Sequence, residues 1–256
     1  MEQVDAILPA GGKLTPDFAD KVGTHSKALI QLDGETILGC TLRALQESGR
    51  VRRTVVIGSA EVLEHPDAQL ATHRLPEAQT GPDNIFLGIS AIESEPNPPK
   101  KVLIVTTDLP FLTGGVINSF LDQVPEGVDI AAPLVHKEEF LGRFPGGPSM
   151  FVRLRDGHVT LGCAYIADIA ALRKAKPHID KVFENRKSKM GMARLLGAGF
   201  VFKYLTNGLS VGDIERKIES LLKIKGTAIS GAPPELAFDI DYHEDFAYAE
   251  QHLNGS

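Results

Sequence analysis

Apolar residues recur along the chain in two alternating rhythms. Val4-Asp5-Ala6-Ile7-Leu8 is a short run ending at Pro9, and Ala10-Gly11-Gly12 follows it, which predicts a buried strand feeding a glycine loop. Between Thr36 and Glu47 the spacing changes: Ile37, Leu38, Leu42 and Leu45 fall on one helical face, closed by Gly49. Thr54-Val55-Val56-Ile57, stopped by Gly58, predicts a second buried strand, β-branched at every position. A helix is expected from Pro82 or Asp83 to Glu93, then the clearest central strand, Val102-Leu103-Ile104-Val105, ending at Thr106-Thr107-Asp108. Leu112-Thr113 opens a further helix through Leu121, and Asp129 to Leu134 predicts another strand.

Strands alternating with helices of this length predict βαβ units with right-handed crossovers, hence an α/β fold on a mainly parallel sheet. The second half is less regular. Met150 to Arg155 and His158 to Ile166 predict strands around the turn Asp156-Gly157, followed by helices over Ile169 to Lys174, Ile179 to Arg186 and Met190 to Leu196. Ser210 with Asp213 marks a capping-box helix start; Thr227-Ala228-Ile229 is a last short strand and His243 to His252 a terminal helix. Glu95-Pro96-Asn97-Pro98-Pro99 predicts a stiff surface turn, not a domain linker. One domain spanning 1–256 is expected, with a regular half at 1–135 and a less regular half at 136–256 that includes an inserted or appended lid.

Composition narrows the function classes. The 256 residues are 43% hydrophobic and 23% charged, enough apolar mass for a sizeable core. The net charge of −6 comes from 33 acidic against 27 basic residues and argues against a nucleic-acid partner met through a basic surface. That charge is unevenly placed. After Gly226 there is no Lys or Arg, but Glu235, Asp239, Asp241, Glu244, Asp245 and Glu250 are present, which accounts for all of it. A basic stretch runs from Arg173 to Lys189; a solvated helical face explains it better than a lid closing over an anion. Cys40 and Cys163 are too few and too far apart for a zinc site and predict a reduced compartment. No window approaches a membrane span, and Glu2 and Asp5 stand where a secretory signal would need basic residues, so a cytoplasmic protein is expected without a membrane partner. Oligomeric state has no signature here.

Four features could carry chemistry. In parallel α/β sheets ligands bind beyond the carboxyl ends of the strands, and Gly11-Gly12 is placed for a close backbone approach, though a simple strand-exit turn would use the same pair. The loop is not a Walker A, and it lacks the spacing G-x-G-x-x-G. Asp108, in Thr107-Asp108-Leu109-Pro110-Phe111, is aimed at a bound cation or else begins a helix-start turn. Asp239 and Asp241 in Phe238-Asp239-Ile240-Asp241 would point the same way in extended chain, so one or both could meet that cation. Alternatively Asp241 starts the last helix, with Glu244 and Asp245 favoured at its positive end. Lys27, after a long polar loop, suits a phosphate contact.

Taken in order, Leu8-Pro9-Ala10-Gly11-Gly12, Lys27-Ala28-Leu29, Leu32-x-Gly34, Asp108-x-Pro110-Phe111 and Asp239-Ile240-Asp241-x-x-Glu244-Asp245 resemble the MobA-like nucleotidyltransferases over nearly the whole chain. The resemblance implies a Rossmann-like, GT-A-type three-layer α/β/α sandwich. It also implies transfer of a nucleoside monophosphate from an NTP to a small phosphorylated acceptor such as a sugar 1-phosphate, with Mg²⁺ or Mn²⁺ as cofactor and pyrophosphate released. It assigns nucleotide binding to Pro9, Ala10, Gly11, Gly12, Lys13, Lys27, Thr80, Gly81, Asn84 and Asp108, with Lys27 and Asp108 catalytic. Asp108 and Asp239 become the metal ligands, and Arg143, Gly162 and Asp241 fall on the acceptor side. Two other readings stand beside it: a GT-A glycosyltransferase using a nucleotide-sugar, and a non-catalytic nucleotide-binding protein. The second arises because Lys13-Leu14-Thr15-Pro16-Asp17-Phe18 lacks the arginine the family usually carries there, and lysine cannot make its forked contact.

Overall fold

The computed structural model describes residues 3–253. In chain order the elements are β1 (Val4–Ala10), α1 (Pro16–Val22), β2 (Gln31–Leu32), β3 (Glu35–Thr36), α2 (Ile37–Glu47), β4 (Val51–Gly58), α3 (Ala60–Glu64), β5 (His73–Pro76), α4 (Gly81–Glu93), β6 (Lys101–Val105), α5 (Gly114–Asp122), β7 (Ile130–His136) and α6 (Lys137–Arg143). There follow β8 (Val152–Leu154), β9 (Gly157–Leu161), β10 (Ala164–Asp168), α7 (Ile169–Asn185), α8 (Lys189–Leu196), α9 (Ala198–Leu205), α10 (Val211–Leu222), β11 (Gly226–Ser230) and α11 (His243–Leu253). Short 3₁₀ turns at Lys27–Leu29, Pro66–Leu70 and Pro234–Ala237 complete the chain.

A nine-stranded sheet runs β5-β4-β1-β6-β10-β7-β9-β8, with β11 added to β7. Alternation along its central strands sends side chains into two separate cores. Ala6 and Leu8 of β1 and Leu103 and Val105 of β6 pack with Leu38, Leu42 and Leu45 of α2 and Ile117 and Phe120 of α5. On the other face Ile7, Val102 and Ile104 pack with Phe86, Ile89 and Ile92 of α4 and Ile169 and Leu172 of α7. Helices on both faces explain why these strands read as unbroken apolar runs.

The expected mainly parallel sheet is overturned. Pairs β1–β4, β1–β6, β4–β5 and β7–β11 are parallel, but β6–β10, β7–β10, β7–β9 and β8–β9 are antiparallel, as is the separate ribbon β2–β3. The sheet is mixed, with four parallel and four antiparallel pairs, and the ribbon makes antiparallel pairs the more numerous overall. The cause lies in the connections. Up to β6 each strand of the large sheet is followed by a helical crossover, which returns the chain parallel. The turn at Asp156-Gly157 (Gly157 φ +125°) instead reverses the chain directly into β9, and a direct reversal imposes antiparallel pairing.

The expected strand from His158 to Ile166 is split at Gly162-Cys163. Against β7, Leu161 stands opposite Leu134 and Ile166 opposite Ala131, so the intervening residues bulge out of the ladder. The helices expected over Ile169 to Lys174 and Ile179 to Arg186 are one, α7, running through Pro177. Pro177 is exposed, so the backbone bond it removes is on the wet side.

Gly88 of α4 sits where the helix presses on the sheet; a Cβ there would lie 2.8 Å from Ile7 Cγ2 and 3.0 Å from Ile57 Cδ1. Alanine would gain about 1 kcal/mol of helix propensity, whereas overpacking costs about 1–3 kcal/mol. Gly88→Ala should therefore lower the denaturant midpoint without changing the m-value. A raised midpoint would show that the contact between α4 and the sheet yields freely.

Candidate functional site

The parallel strands β5, β4, β1 and β6 end on one edge of the sheet, and the loops leaving them assemble there. From β1 comes the glycine loop. It is closed by two backbone bonds, in which Lys27 N–H donates to Gly12 O (3.0 Å) and Leu14 N–H to His25 O (2.9 Å), with α1 between. The long polar segment before Lys27 is thus a clasp that returns the lysine to the glycines. A Cβ on Gly12 would lie 3.2 Å from Lys27 Cδ, and one on Gly11 would lie 2.7 Å from Glu77 Oε2. Both glycines are set by close approach.

From β6 comes Asp108. Its carboxylate does not start the following helix; Thr113 does, its hydroxyl accepting from Val116 N–H (3.3 Å). Asp108 O instead accepts from Ile240 N–H (3.0 Å), stitching the acidic segment of the second half across the end of β6. Phe238 and Ile240 are fully buried, with Phe238 among Phe111, Phe140 and Phe144. Alternation then turns Asp239 and Asp241 together towards Asp108. One oxygen from each of the three carboxylates lies within 4.8 Å of the others.

Such proximity is electrostatically unfavourable without a cation. Burial pushes the Asp108 carboxyl above its ordinary range despite the pull of Lys27. Burial, then the charges of Asp108 and Asp241, raise Asp239 to about 6. Lys27 is the local counter-charge: its ammonium donates to Asp241 and stands 3.9 Å from Asp108 Oδ2. Burial opposes its charge, but the Asp241 hydrogen bond and the nearby Asp108 and Asp239 outweigh that and hold its pKa above the ordinary value. Asp108 Oδ1 is buried with no hydrogen-bond partner among the described residues. Hard carboxylate oxygens converging around an unpartnered one suit a divalent cation.

Two clefts flank this cluster. One, of about 370 Å³, is lined by Pro9, Gly11, Gly12, Lys27, Glu77–Gly81, Asn84 and Thr106–Asp108. Its wall is fixed by the start of α4, where Thr80 Oγ1 accepts from Asp83 N–H (3.2 Å) and Asn84 Oδ1 from Ala78 N–H (2.6 Å). The other cleft, of about 560 Å³, is lined by Asp239, Asp241, Tyr242, Glu244, Asp245, Pro148–Met150, Thr160, Leu161 and Cys163.

Most of the residues singled out from the sequence meet here. Pro9, Gly11, Gly12, Lys27, Thr80, Gly81, Asn84 and Asp108 line the first cleft, while Ala10 and Lys13 line a groove on the outer side of the glycine loop. Asp239 and Asp241 line the second. Arg143 and Gly162 line neither cleft. Arg143 pairs with Glu235 (2.6 Å) and covers the Phe144 ring. Gly162 donates its N–H to Pro133 O (2.9 Å), and a Cβ there would strike Leu236 O at 2.7 Å. Asp245 accepts from the N–H groups of Asp241 (2.9 Å) and Tyr242 (2.7 Å), fixing the entry to α11. The reading of the sequence missed Glu77. Its strand, β5, is only four residues long and half polar, so the edge that delivers Glu77 has no signature in the sequence.

Comparison with known proteins agrees with this geometry. A family model described as the MobA-like NTP transferase domain matches residues 6–190. A 2-C-methyl-D-erythritol 4-phosphate cytidylyltransferase from Saccharopolyspora erythraea is 28% identical over 138 residues, covering 52% of this chain and 59% of that protein's own length. A structure from Thermus thermophilus described as a hypothetical transferase superposes with a TM-score of 0.83 at 29% identity, covering 95% of this chain and 99% of its own. A 4-diphosphocytidyl-2C-methyl-D-erythritol synthase from Anaerococcus prevotii superposes with a TM-score of 0.57 over 99% of this chain and 96% of its own; at 12% identity it is alike in fold alone. Among the described residues, no helix is long and apolar enough to cross a membrane.

The raised carboxyl of Asp239 has a measurable sign. Its folded pKa of about 6 exceeds the unfolded value of about 3.9, so the folded state holds the extra proton. The metal-free protein should lose stability from this group as pH rises from about 4 to about 6. Asp239→Asn should remove that increment, raise the metal-free Tm above neutral pH and abolish stabilisation by added Mg²⁺. Parallel pH–Tm curves for the two proteins in chelator would refute the electrostatic account.

Proposed function

The chain belongs to the MobA-like NTP transferase family and is a nucleotidyltransferase, and from this we propose that it joins a nucleoside monophosphate from an NTP to a small phosphorylated acceptor such as a sugar 1-phosphate. The observation that carries this reading is the carboxylate cluster of Asp108, Asp239 and Asp241 standing between two separate clefts. A two-substrate transfer needs such an arrangement, with its charge-bearing centre where the substrates meet. On this reading the 1–135 half holds the nucleotide and the 136–256 half the acceptor.

The nucleotide would lie in the cleft of Gly11 and Gly12, where the missing side chains admit the triphosphate against backbone N–H groups. Thr80, Gly81 and Asn84 at the start of α4, together with Glu77, would meet the base and ribose. Lys27 would shift its ammonium from Asp241 to the phosphates, a small movement because its stem is held against Gly12. The acceptor oxygen attacks the α-phosphorus in line; the new P–O bond forms as the bond to the β-phosphate bridging oxygen breaks, and pyrophosphate leaves. No protein atom becomes covalently bound, so the chain's work is positioning and neutralising charge. A divalent cation held by Asp108 and Asp239, Mg²⁺ or Mn²⁺, would supply the positive charge the phosphates need. Lys13, on the outer face of the glycine loop, is the available substitute for an arginine at the tail of the triphosphate.

Cys163 takes no part as a nucleophile. Burial and the charges of Asp239 and Asp108 push its thiol far above the range in which a thiolate forms.

Asp108→Asn should cut pyrophosphate release by about 10²–10³-fold, the usual loss when a charge-stabilising group is removed, with the Tm unchanged or raised because a repelling carboxylate is gone. Lys27→Met should lower turnover comparably. Full Mg²⁺-dependent activity in Asp108→Asn would overturn the assignment.

A further inference from the structure

We propose that the carboxyl end of α7, with α8 and α9, docks the protein peripherally on a membrane surface carrying anionic lipid. Between residues 181 and 208 stand Lys181, Arg186, Lys187, Lys189, Arg194 and Lys203 against one acid, Glu184. The chain as a whole carries −6, so this segment is opposite in sign to the rest. The sequence expects a solvated helical face from Arg173 to Lys189, and the first part is one: Arg173 pairs with Glu93, and Lys176 with Asp83 and Asp180. Beyond it the pairing stops. Lys203 is held by Asp213 (2.9 Å), but Lys181, Arg186, Lys187, Lys189 and Arg194 are exposed and make no ion pair among the described residues. None of these five lines either cleft of the site, so their charge is not spent there.

Charge alone would describe any wet helical face. This one also carries apolar surface among its bases. No residue of α8 or α9 is buried. On α9, Ala198, Phe202 and Leu205 recur at the i, i+4, i+7 spacing of a single stripe, and all three are exposed. Phe202 leaves 68% of its surface in solvent and Leu205 71%. Phe200, on the far side of that stripe, fastens the helix to the body by packing on the cluster of Leu154, Val159 and Leu209. On α8, Met190 is 68% exposed and lies beside Arg194, whose guanidinium approaches its sulfur at 3.9 Å. The apolar side of this segment is thus turned outwards, which forgoes the stabilisation those side chains would bring if covered.

An anionic bilayer surface complements both properties. Lys and Arg are drawn to its headgroups, while Phe, Leu and Met enter the boundary with the acyl chains. Two other occupants fit less well. A two-fold dimer through this face would set the same patch against itself, and the unpaired bases on each side would repel. A nucleic acid would satisfy the bases, but its phosphate surface offers no apolar interior to Met190 and Leu205. Peripheral docking needs no spanning helix, so the absence of one among the described residues does not oppose it.

The chain contains no tryptophan, so Phe202→Trp supplies a single fluorescent reporter on the outward stripe. The full-length protein is titrated with vesicles of phosphatidylcholine alone and of phosphatidylcholine mixed with phosphatidylglycerol. The mixed vesicles should bind about tenfold more tightly or better, move the tryptophan emission to the blue, and release the protein as salt is raised. In the otherwise unaltered chain, Lys187→Glu combined with Lys189→Glu should weaken co-sedimentation with the mixed vesicles about tenfold, and Leu205→Ser should weaken it too. Both should leave the Tm and pyrophosphate release in solution unchanged. No binding, equal binding to the two kinds of vesicle, or tight binding without a blue shift would overturn the proposal. So would a blue shift that grows with protein concentration without lipid, which would assign the face to a second copy. Tighter binding to a DNA oligomer than to the mixed vesicles would overturn it in favour of a nucleic acid. Each of these outcomes leaves nucleotidyl transfer standing.

Discussion

The site depends on a single hydrogen bond made against electrostatic resistance. Ile240 N–H donates to Asp108 O, and that bond brings two carboxylates from the second half of the chain onto a third from the first. A backbone hydrogen bond contributes only about 1 kcal/mol net, too little to assemble three negative groups around a buried centre. The larger share comes from the residues between the acids. Phe238 and Ile240 are fully buried, and each such side chain contributes roughly 1.5–3 kcal/mol. Apolar burial therefore forces the charges together, and Lys27 relieves part of the repulsion in the absence of anything larger.

The same economy shapes the rest of the edge. Gly11 and Gly162 stand where a side chain would collide with a neighbour that the site or its scaffold uses, and Gly12 where it would crowd Lys27. Gly162 differs in kind from the other two. It lets the bulge between β9 and β10 press against Pro133 and Leu236, and Cys163 N–H then donates to Leu236 O at 2.7 Å. The antiparallel part of the sheet is thereby tied to the segment that carries Asp239. A purely parallel sheet would offer no strand running back from the site towards that segment.

Much of this was legible in the sequence because it rests on short-range rules. Strands β1, β4 and β6 are apolar runs buried on both faces, and α2 and α4 carry helical spacing with a Thr at each start. Asp239 and Asp241 alternate with Phe238 and Ile240, so their shared direction follows from extended geometry alone. What escaped was set by contacts distant in sequence. The direction of β10 between β6 and β7 depends on which edge accepts it, and nothing local in Ala164–Asp168 encodes that. Glu77 escaped because β5 is short and half polar, and the two helices expected on either side of Pro177 are one because Pro177 lies on an exposed helical face. Arg143 falls on the acceptor side by the resemblance, and only the fold reveals Glu235 beside it.

The stitch between Ile240 and Asp108 also has a consequence for the order in which the molecule is made. Domains form progressively as chains leave the ribosome, amino-terminal parts first. The glycine clasp, the wall at α4 and Asp108 all precede residue 109, whereas Asp239 and Asp241 emerge more than half a chain later. The residues that line the first cleft are thus synthesised long before the two acids that converge beside it. The three-carboxylate cluster can close only after synthesis has passed residue 241.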